Sequence, residues 1–357
     1  MQKIVIPSPG GYSRLKLEEA PDPVAAPGEV LIDVEAVGVN FADCIARMGL
    51  YASANALAGY PLVPGFEVAG TVAATGKGVR DIEPGAVVMG VTLFNAYQSK
   101  VALPRAQVFR VPYHWSMLQA AAFPAAFLTA WYALFELAHP RMEQKVLVHS
   151  AAGGVGQALV QLARLAGCKV AGVVGGSHKT VCVEALGAEC VIDKSSEDLW
   201  ATASLYAPEG FDVILDANGA ATLRDSYEHL APGGKLVVYG FHSMFRKGFG
   251  RAPWFRLARG WLGTPRFDPL KMTQENRSVL AFNLSFMMHR RELLARAMQQ
   301  LLGWANEDRI QPSPVTAFAF SDAASAQRVL ESGETTGKLV LRVDSEEKTV
   351  IPAGVQR

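Results

Sequence analysis

The stretch with the clearest chemical content is Ser150-Ala151-Ala152-Gly153-Gly154-Val155-Gly156. It follows Val146-Leu147-Val148, an apolar run short enough for a buried parallel strand. It leads into a pattern that sets Leu159, Leu162, Ala163 and Ala166 on one helical face. Strand, glycine turn and helix in that order make an anion site. Glycine lets backbone approach a pyrophosphate, and the first N–H groups of the helix lack intrahelical acceptors. The triplet begins with Ala151, so it reads AxGxxG, and its weight comes from lying between a strand and a helix. An ordinary tight strand-to-helix turn is the bland alternative. Selection of NAD in such a site rests on an Asp or Glu about twenty residues further on. Between Gly156 and Glu184 no acidic residue occurs. Gly175-Gly176-Ser177-His178-Lys179 instead offers a hydroxyl and an ammonium, suited to the 2′-phosphate of NADPH. The alternative is that Ser177 and Lys179 only cap the helix that follows.

Such a site needs a large, soluble scaffold to hold it. At 357 residues two domains are the prior, and with half the residues hydrophobic and 19% charged a sizeable core is expected. A net charge of +1 argues against a nucleic-acid partner. Cys44, Cys168, Cys182 and Cys190 show no CxxC spacing, and Met1 opens no secretory leader, so a reducing cytoplasmic setting is expected. The most apolar stretch, residues 118–137, is broken by Pro124 and carries Gln119, Thr129 and Glu136, which fits a buried helix pair better than a membrane span.

The first 120 or so residues read as β-rich. Val30, Ile32, Val34 and Ala36 alternate with Asp33 and Glu35 after a Pro27-Gly28 turn, and residues 66–72 and 86–89 are further strands, as in a small antiparallel barrel. From Phe123 onward strands alternate with helices: 169–174, 190–193, 213–216, 235–240 and a sixth at 278–282. That alternation is the mark of a doubly wound parallel sheet, whose ligand crevice lies at the carboxyl ends of its first strands.

Five motifs fall in one order and spacing: Gly38-Val39-Asn40-Phe41-Ala42-Asp43, Pro64-Gly65-Phe66-Glu67, Phe127-Leu128-Thr129-Ala130-Trp131, the glycine turn, and Leu230-Ala231-Pro232-Gly233-Gly234-Lys235. Together they resemble the medium-chain dehydrogenase/reductase superfamily, specifically its zinc-free quinone oxidoreductase branch, over about residues 3–343. The segment after Gly240, with residues 254–259 and 267–271, resembles more narrowly the synaptic vesicle membrane protein homologues of that branch. The resemblance implies an α/β protein with a GroES-like β-barrel catalytic domain (1–124 with 291–343), a Rossmann NADP-binding domain (125–290) and a tail at 344–357.

A catalytic zinc needs three protein ligands of Cys, His or acidic type. Zinc-dependent relatives carry Cys where this chain has Asn40 and His where it has Phe66, and the four clustered cysteines of their structural zinc lobe are missing from residues 89–110. No metal is therefore expected, and Cys44 reads as a small apolar filler. Hydride transfer must then rest on orientation and hydrogen bonding. The resemblance places Asn40, Asp43 and Thr129 around the nicotinamide and Tyr51 near the substrate. Asn40 would donate to the oxyanion that develops on the acceptor, and Tyr51 would supply a proton or hydrogen bond. Open alternatives are that Asp43 organises a turn, Thr129 bonds its own helix, and Tyr51 is a rim residue. The expected cofactor contacts are Asn40, Thr129, Ala152, Gly153, Gly154, Val155, Ser177, Lys179, Asn218, Gly240, Phe241 and Leu284. Phe94 and Tyr97 are either pocket wall or barrel core, and His149 is a packed strand-end residue, the other histidines lying at the surface.

The implied reaction is NADPH-dependent reduction of a quinone or an α,β-unsaturated carbonyl. A nucleotide-dependent membrane- or partner-associated protein with little turnover is the alternative. A homodimer through the sixth strand is expected, because an open apolar edge is a liability. Residues 242–271 combine Arg246, Lys247, Arg251, Arg256, Arg259, Arg266 and Lys271 with Phe245, Phe249, Trp254, Phe255, Trp261 and Phe267. They suit either peripheral contact with anionic lipid or a lid whose aromatics pack inward.

Overall fold

In the computed structural model, residues 1–244 and 254–343 are described. Six parallel strands form one sheet in the spatial order Cys190–Asp193, Lys169–Val174, Lys145–Val148, Phe211–Asp216, Leu230–Val238, Ser278–Ala281. The chain starts in the middle, winds outward one way, then returns and winds outward the other way, as a doubly wound sheet must. The reversal point lies between Lys145–Val148 and Phe211–Asp216, and the crevice opens at their carboxyl ends. Val146, Leu147 and Val148 are fully buried because helices cover both sheet faces, which is why this strand shows no alternation in sequence. The helix Gly154–Leu165 packs Leu159, Leu162 and Ala163 against it. The expected sixth strand is the outer edge of the sheet.

The second sheet has a core path of Val315–Ala319, Lys338–Arg342, Glu29–Val39, Glu67–Thr75, Val87–Val91 and Val108–Arg110, with Lys100–Pro104 also pairing to Glu29–Val39. All its pairings are antiparallel except Val315–Ala319 with Lys338–Arg342. Strands from beyond residue 310 thus sit beside strands from the first 110 residues. In Glu29–Val39 the expected alternation holds from Val30 to Ala36 and then stops, the last four residues all being buried. Gly38 explains the change. A Cβ there would stand 2.3 Å from the Ala121 carbonyl oxygen and 2.4 Å from Glu67 Oε1, so only glycine lets both approach.

Residues 118–137 form the helix pair expected of them, Met117–Ala121 and Pro124–Trp131, the second running on as a π-helical turn over Tyr132–Ala138. Phe123 and Phe127 stack at 4.0 Å, and the Trp131 indole donates to Gln300 Oε1 at 2.8 Å on the helix Arg291–Asn306. Behind the helix Phe41–Arg47 lies a buried charge cluster. Arg47 pairs with Glu331 and donates from Nε to Gln327 Oε1 at 2.7 Å, both on the helix Ala323–Ser332. Tyr12 donates to Glu331 Oε2 at 2.7 Å, and its ring lies between the Arg47 and Arg328 guanidinium groups at 4.4 and 4.8 Å. Among the described residues no helix is long and apolar enough to cross a membrane.

Candidate active site

Asn40 stands where the strand Glu29–Val39 gives way to the helix Phe41–Arg47. Its Nδ2 donates to Glu67 Oε1 at 2.9 Å and its Oδ1 accepts from Lys338 Nζ at 2.7 Å. Lys338 also donates to Glu67 Oε1 at 2.6 Å and to the Val39 carbonyl at 2.9 Å. Glu67 Oε2 accepts from the Ala125 N–H at 2.7 Å, in the first turn of Pro124–Trp131, where the helix end is positive. Glu67 is fully buried and Lys338 is 5% exposed, so both charges are satisfied by each other and by fixed donors and acceptors. Sequence reasoning quoted Glu67 only as part of a motif and did not single out Lys338. The available signal was a lysine opening the apolar run Leu339-Val340-Leu341, which has to be buried.

The other expected catalytic residues fall differently. Asp43 is fully buried and accepts from the Asn40 N–H at 2.8 Å, the Gly65 N–H at 3.0 Å and the Tyr97 hydroxyl at 3.0 Å. Burial pushes its carboxyl up to about 7 against those donors. Its side chain faces inward and organises the turn that carries Asn40, which was the alternative to a place around the nicotinamide. Tyr51 reaches across to the segment after the last parallel strand, with its hydroxyl 2.6 Å from Ser285 Oγ and donating to Asn283 Oδ1 at 3.0 Å. Its ring lies edge-on to Phe66 and Phe94 at 6.0 and 6.3 Å, and burial raises its pKa. Thr129 donates to the Ala125 carbonyl at 2.7 Å, the local bond that was the alternative reading. Phe94 and Tyr97 are core, at 2% and 0% exposure. Cys44 is buried with its thiol held up by that burial, as a filler should be. His149 is buried against Ser226, its Nε2 3.0 Å from Oγ. His242, expected at the surface, instead packs on the Phe41 ring at 4.2 Å, and burial lowers it to about 4.

The glycine turn has the geometry of an anion cradle. Ser150 adopts a left-handed conformation (φ 54°) and its hydroxyl donates to Asn218 Oδ1 at 3.0 Å. Gly153 caps the helix that begins at Gly154, so the amides of Gly154 and Val155 have no acceptor within their own helix. Asn218 is 8% exposed and its Nδ2 makes no hydrogen bond, an orphaned donor beside the cradle. Asp216 holds this corner by accepting from the Asn218 and Gly219 N–H groups at 2.7 and 2.9 Å. The Phe241 ring lies over Gly219, where a Cβ would come within 2.4 Å of it. Gly240 and the turn Leu284–Met287 close the same end of the sheet.

At the second strand, Ser177–Lys179 forms a 3-10 turn. Lys179 is 6% exposed and donates to the Gly333 carbonyl at 2.5 Å, while His178 Nε2 lies 3.3 Å from the Glu334 carbonyl. The ammonium thus bonds the residue that follows the helix Ala323–Ser332, a contact that the sequence did not reveal. Lys194, which follows the neighbouring strand Cys190–Asp193, was missed. Its Cε passes 3.8 Å from where a Cβ on Gly175 would stand, which adds a cation to the same corner. Adjacent parallel strands deliver their following residues to one crevice, and that was the usable signal. The segment 333–338 crosses between the domains: Gly337 donates to the Ala152 carbonyl at 2.8 Å, and a Cβ on Gly154 would stand 3.1 Å from Lys338 Cδ. The glycine cradle, the first-turn helix amides, the orphaned Asn218 amide and the lysines at the second strand fit a phosphorylated dinucleotide. Among the described residues no group of three His, Cys, Asp or Glu is placed to hold a metal ion.

Comparison with known proteins agrees with this architecture. Residues 26–113 match the alcohol dehydrogenase GroES-like domain, and residues 186–341 match the family described as zinc-binding dehydrogenase. The synaptic vesicle membrane protein VAT-1 homolog of Rattus norvegicus is 33% identical over 349 residues, covering 97% of this chain and 85% of that protein. The Escherichia coli quinone oxidoreductase, solved as a complex with NADPH, superposes with a TM-score of 0.82 at 27% identity, over 96% of this chain and 100% of that one. The CurK enoyl reductase superposes with a TM-score of 0.83 at 25% identity, over 96% and 99% of the two chains. A barrel holding Asn40, a parallel sheet holding the glycine turn, and relatives that share both along nearly the whole chain place this protein in the medium-chain dehydrogenase/reductase superfamily of oxidoreductases.

Proposed function

We propose that the protein is a zinc-independent, NADPH-dependent reductase of a quinone or an α,β-unsaturated carbonyl. The observation that carries this reading is Asn40, an uncharged amide anchored by a buried ion pair beside the glycine turn, at a position that cannot ligate zinc. The amides of Ala152, Gly154 and Val155 and the orphaned Asn218 Nδ2 would hold the pyrophosphate side of the dinucleotide, with Gly153, its own amide bonded to the Ser150 carbonyl, letting the backbone approach. Ser177, Lys179 and Lys194 would meet its 2′-phosphate, with Thr129, Gly240, Phe241 and Leu284 bordering the rest. Bound NADPH supplies a hydride at its nicotinamide ring. Asn40 has two amide hydrogens, and Glu67 engages one of them. The other is available to an acceptor oxygen that gains negative charge, a task for which a fixed donor in a water-poor site is effective. Phe66, backed at 5.2 Å by the core residue Phe94, would supply apolar surface on that side. Tyr51, kept neutral by burial and held by Ser285 and Asn283, would serve as a proton or hydrogen-bond donor by exchanging its bond to Asn283 for one to the acceptor. Asp43 acts through the Asn40 backbone.

Oxidation of NADPH against a panel of quinones and enones tests the reading. A charge-assisted bond to the 2′-phosphate contributes roughly 1.5–3 kcal/mol, and each 1.4 kcal/mol is about tenfold. NADPH is therefore expected to exceed NADH by at least about tenfold in kcat/KM, and Lys179→Ala to remove most of that margin. Equal efficiency with both cofactors, or no turnover on any acceptor, would overturn it.

One observation favours membrane or partner contact as a second reading. Phe255, Trp261 and Leu262 are 84%, 68% and 75% exposed, with exposed Arg259 and Arg266 nearby. Of the aromatics that were to pack inward, Phe267 does so, against Tyr227 at 5.1 Å. Phe245, Arg246, Lys247, Phe249 and Arg251 lie outside the described residues. The chain is expected to float with liposomes containing anionic lipid and not with neutral ones, and Phe255→Ser with Trp261→Ser to abolish flotation. Flotation independent of lipid charge, or none, leaves the reductase reading alone.

A further inference from the structure

We propose that Lys338 is a positioning residue that sets which end of the Asn40 carboxamide faces the acceptor; this rests on the reductase reading above. A terminal carboxamide torsion has broad, roughly two-fold minima, so an asparagine at a cleft can exchange its oxygen and nitrogen by turning over. The two orientations differ in chemistry. Nitrogen toward the acceptor donates to a developing oxyanion, whereas oxygen toward it repels the same charge.

The partners of Asn40 remove the ambiguity. Lys338 Nζ can only donate, and it stands 2.7 Å from Oδ1. The Glu67 carboxylate, paired with that ammonium, can only accept, and its Oε1 stands 2.9 Å from Nδ2. Turning the amide over would set NH₂ against an ammonium and a carbonyl oxygen against a carboxylate, two mismatches in a buried setting. The orientation is keyed by charge. Lys338 does not touch the acceptor itself, since its three N–H bonds go to Val39 O, Asn40 Oδ1 and Glu67 Oε1. Its ammonium also draws electron density from the Asn40 carbonyl, which strengthens the remaining amide N–H as a donor. The stem of Lys338 passes the glycine turn, with Cδ 3.1 Å from a Cβ position on Gly154, and Gly337 bonds Ala152. One residue therefore sets the donor relative to the cofactor cradle.

Lys338→Met alone strands a buried carboxylate and would confuse misfolding with misorientation. The test uses Lys338→Met/Glu67→Gln, which removes both charges, beside Lys338→Arg, which keeps a donor. In the double variant kcat for quinone reduction is expected to fall tenfold or more, toward the hundred- to thousandfold loss that follows removal of an oxyanion donor. NADPH affinity by fluorescence titration and acceptor KM should change less than about threefold, and Lys338→Arg should recover most of kcat, a split that loss of a merely structural ion pair would not give. A second arm needs no variant to fold. In side-chain ¹H–¹⁵N NMR of the wild type, one of the two Asn40 amide protons, assigned by their loss in Asn40→Asp, should be protected from solvent exchange by its bond to Glu67. A double variant with kcat within threefold of wild type, or Asn40 protons that both exchange fast with solvent, overturns the role of Lys338 and leaves the reductase reading in place. Wild-type protein that turns over no acceptor, yet shows the protected proton, overturns the reductase reading and keeps the keyed amide.

Discussion

Alanine at position 156 is expected to abolish measurable NADPH binding. Gly156 is the third residue of the helix Gly154–Leu165, and a Cβ there would stand 2.2 Å from the Ser150 carbonyl oxygen and 2.7 Å from Ala151 Cα. Backbone atoms cannot give way as a flexible side chain does, so the helix start must leave the strand end. The amides of Gly154 and Val155 then lose their aim. A charge-assisted hydrogen bond contributes roughly 1.5–3 kcal/mol, so loss of two weakens binding by about a hundred- to ten-thousandfold. Fluorescence titration with NADPH checks this in a variant whose circular dichroism is native. A dissociation constant within tenfold of wild type would show that the turn does not carry the phosphate.

The largest effect on stability is expected at Arg47. Its side chain is 0% and that of Glu331 2% exposed, so truncating one partner leaves an uncompensated charge in the core. Arg47→Met should lower the unfolding free energy by about 3–5 kcal/mol, seen as a lower urea midpoint. Arg47→Met/Glu331→Leu should regain much of that loss, because no charge is then stranded. Recovery should be incomplete, since Tyr12 loses an acceptor and Gln327 Oε1 loses a donor. A double variant less stable than either single one would show that the pair stabilises the fold beyond its own desolvation. The helix that ends at Arg47 begins beside Asn40, so oxidoreductase turnover should decline with stability in this series.

The parallel sheet was legible because burial on both faces leaves an uninterrupted apolar run such as Val146-Leu147-Val148, and a glycine turn marks where the chain must bend close. The barrel strand was legible for as long as one face met water, through Asp33 and Glu35, and became illegible where Gly38 enters the interior. Asn40 was found through the motif that surrounds it. Its partners were not, because the Lys338–Glu67 bond closes over 271 positions and no local pattern encodes such a contact. Asp43 was placed around the nicotinamide for a related reason. Its hydrogen bonds with Gly65 and Tyr97 span 22 and 54 positions, and those contacts show the carboxylate facing inward. Lys179 shows that residue type can indicate a corner of the fold without revealing a second contact, here the Gly333 carbonyl.

The separation between Glu67 and Lys338 also sets an order of events during synthesis. A ribosome adding about 5–20 residues per second needs roughly 15–55 seconds to pass from one to the other. For that interval the nascent barrel holds a carboxylate whose partner Lys338 is not yet made, and its strand Glu29–Val39 lacks the neighbour Lys338–Arg342. The parallel sheet, with all its strands between residues 145 and 281, can close in the meantime. The Asn40–Glu67–Lys338 cluster is therefore completed by Lys338–Arg342, the last described strand of the barrel sheet, and a chain cut short before residue 338 leaves the parallel sheet joined to an unfinished barrel.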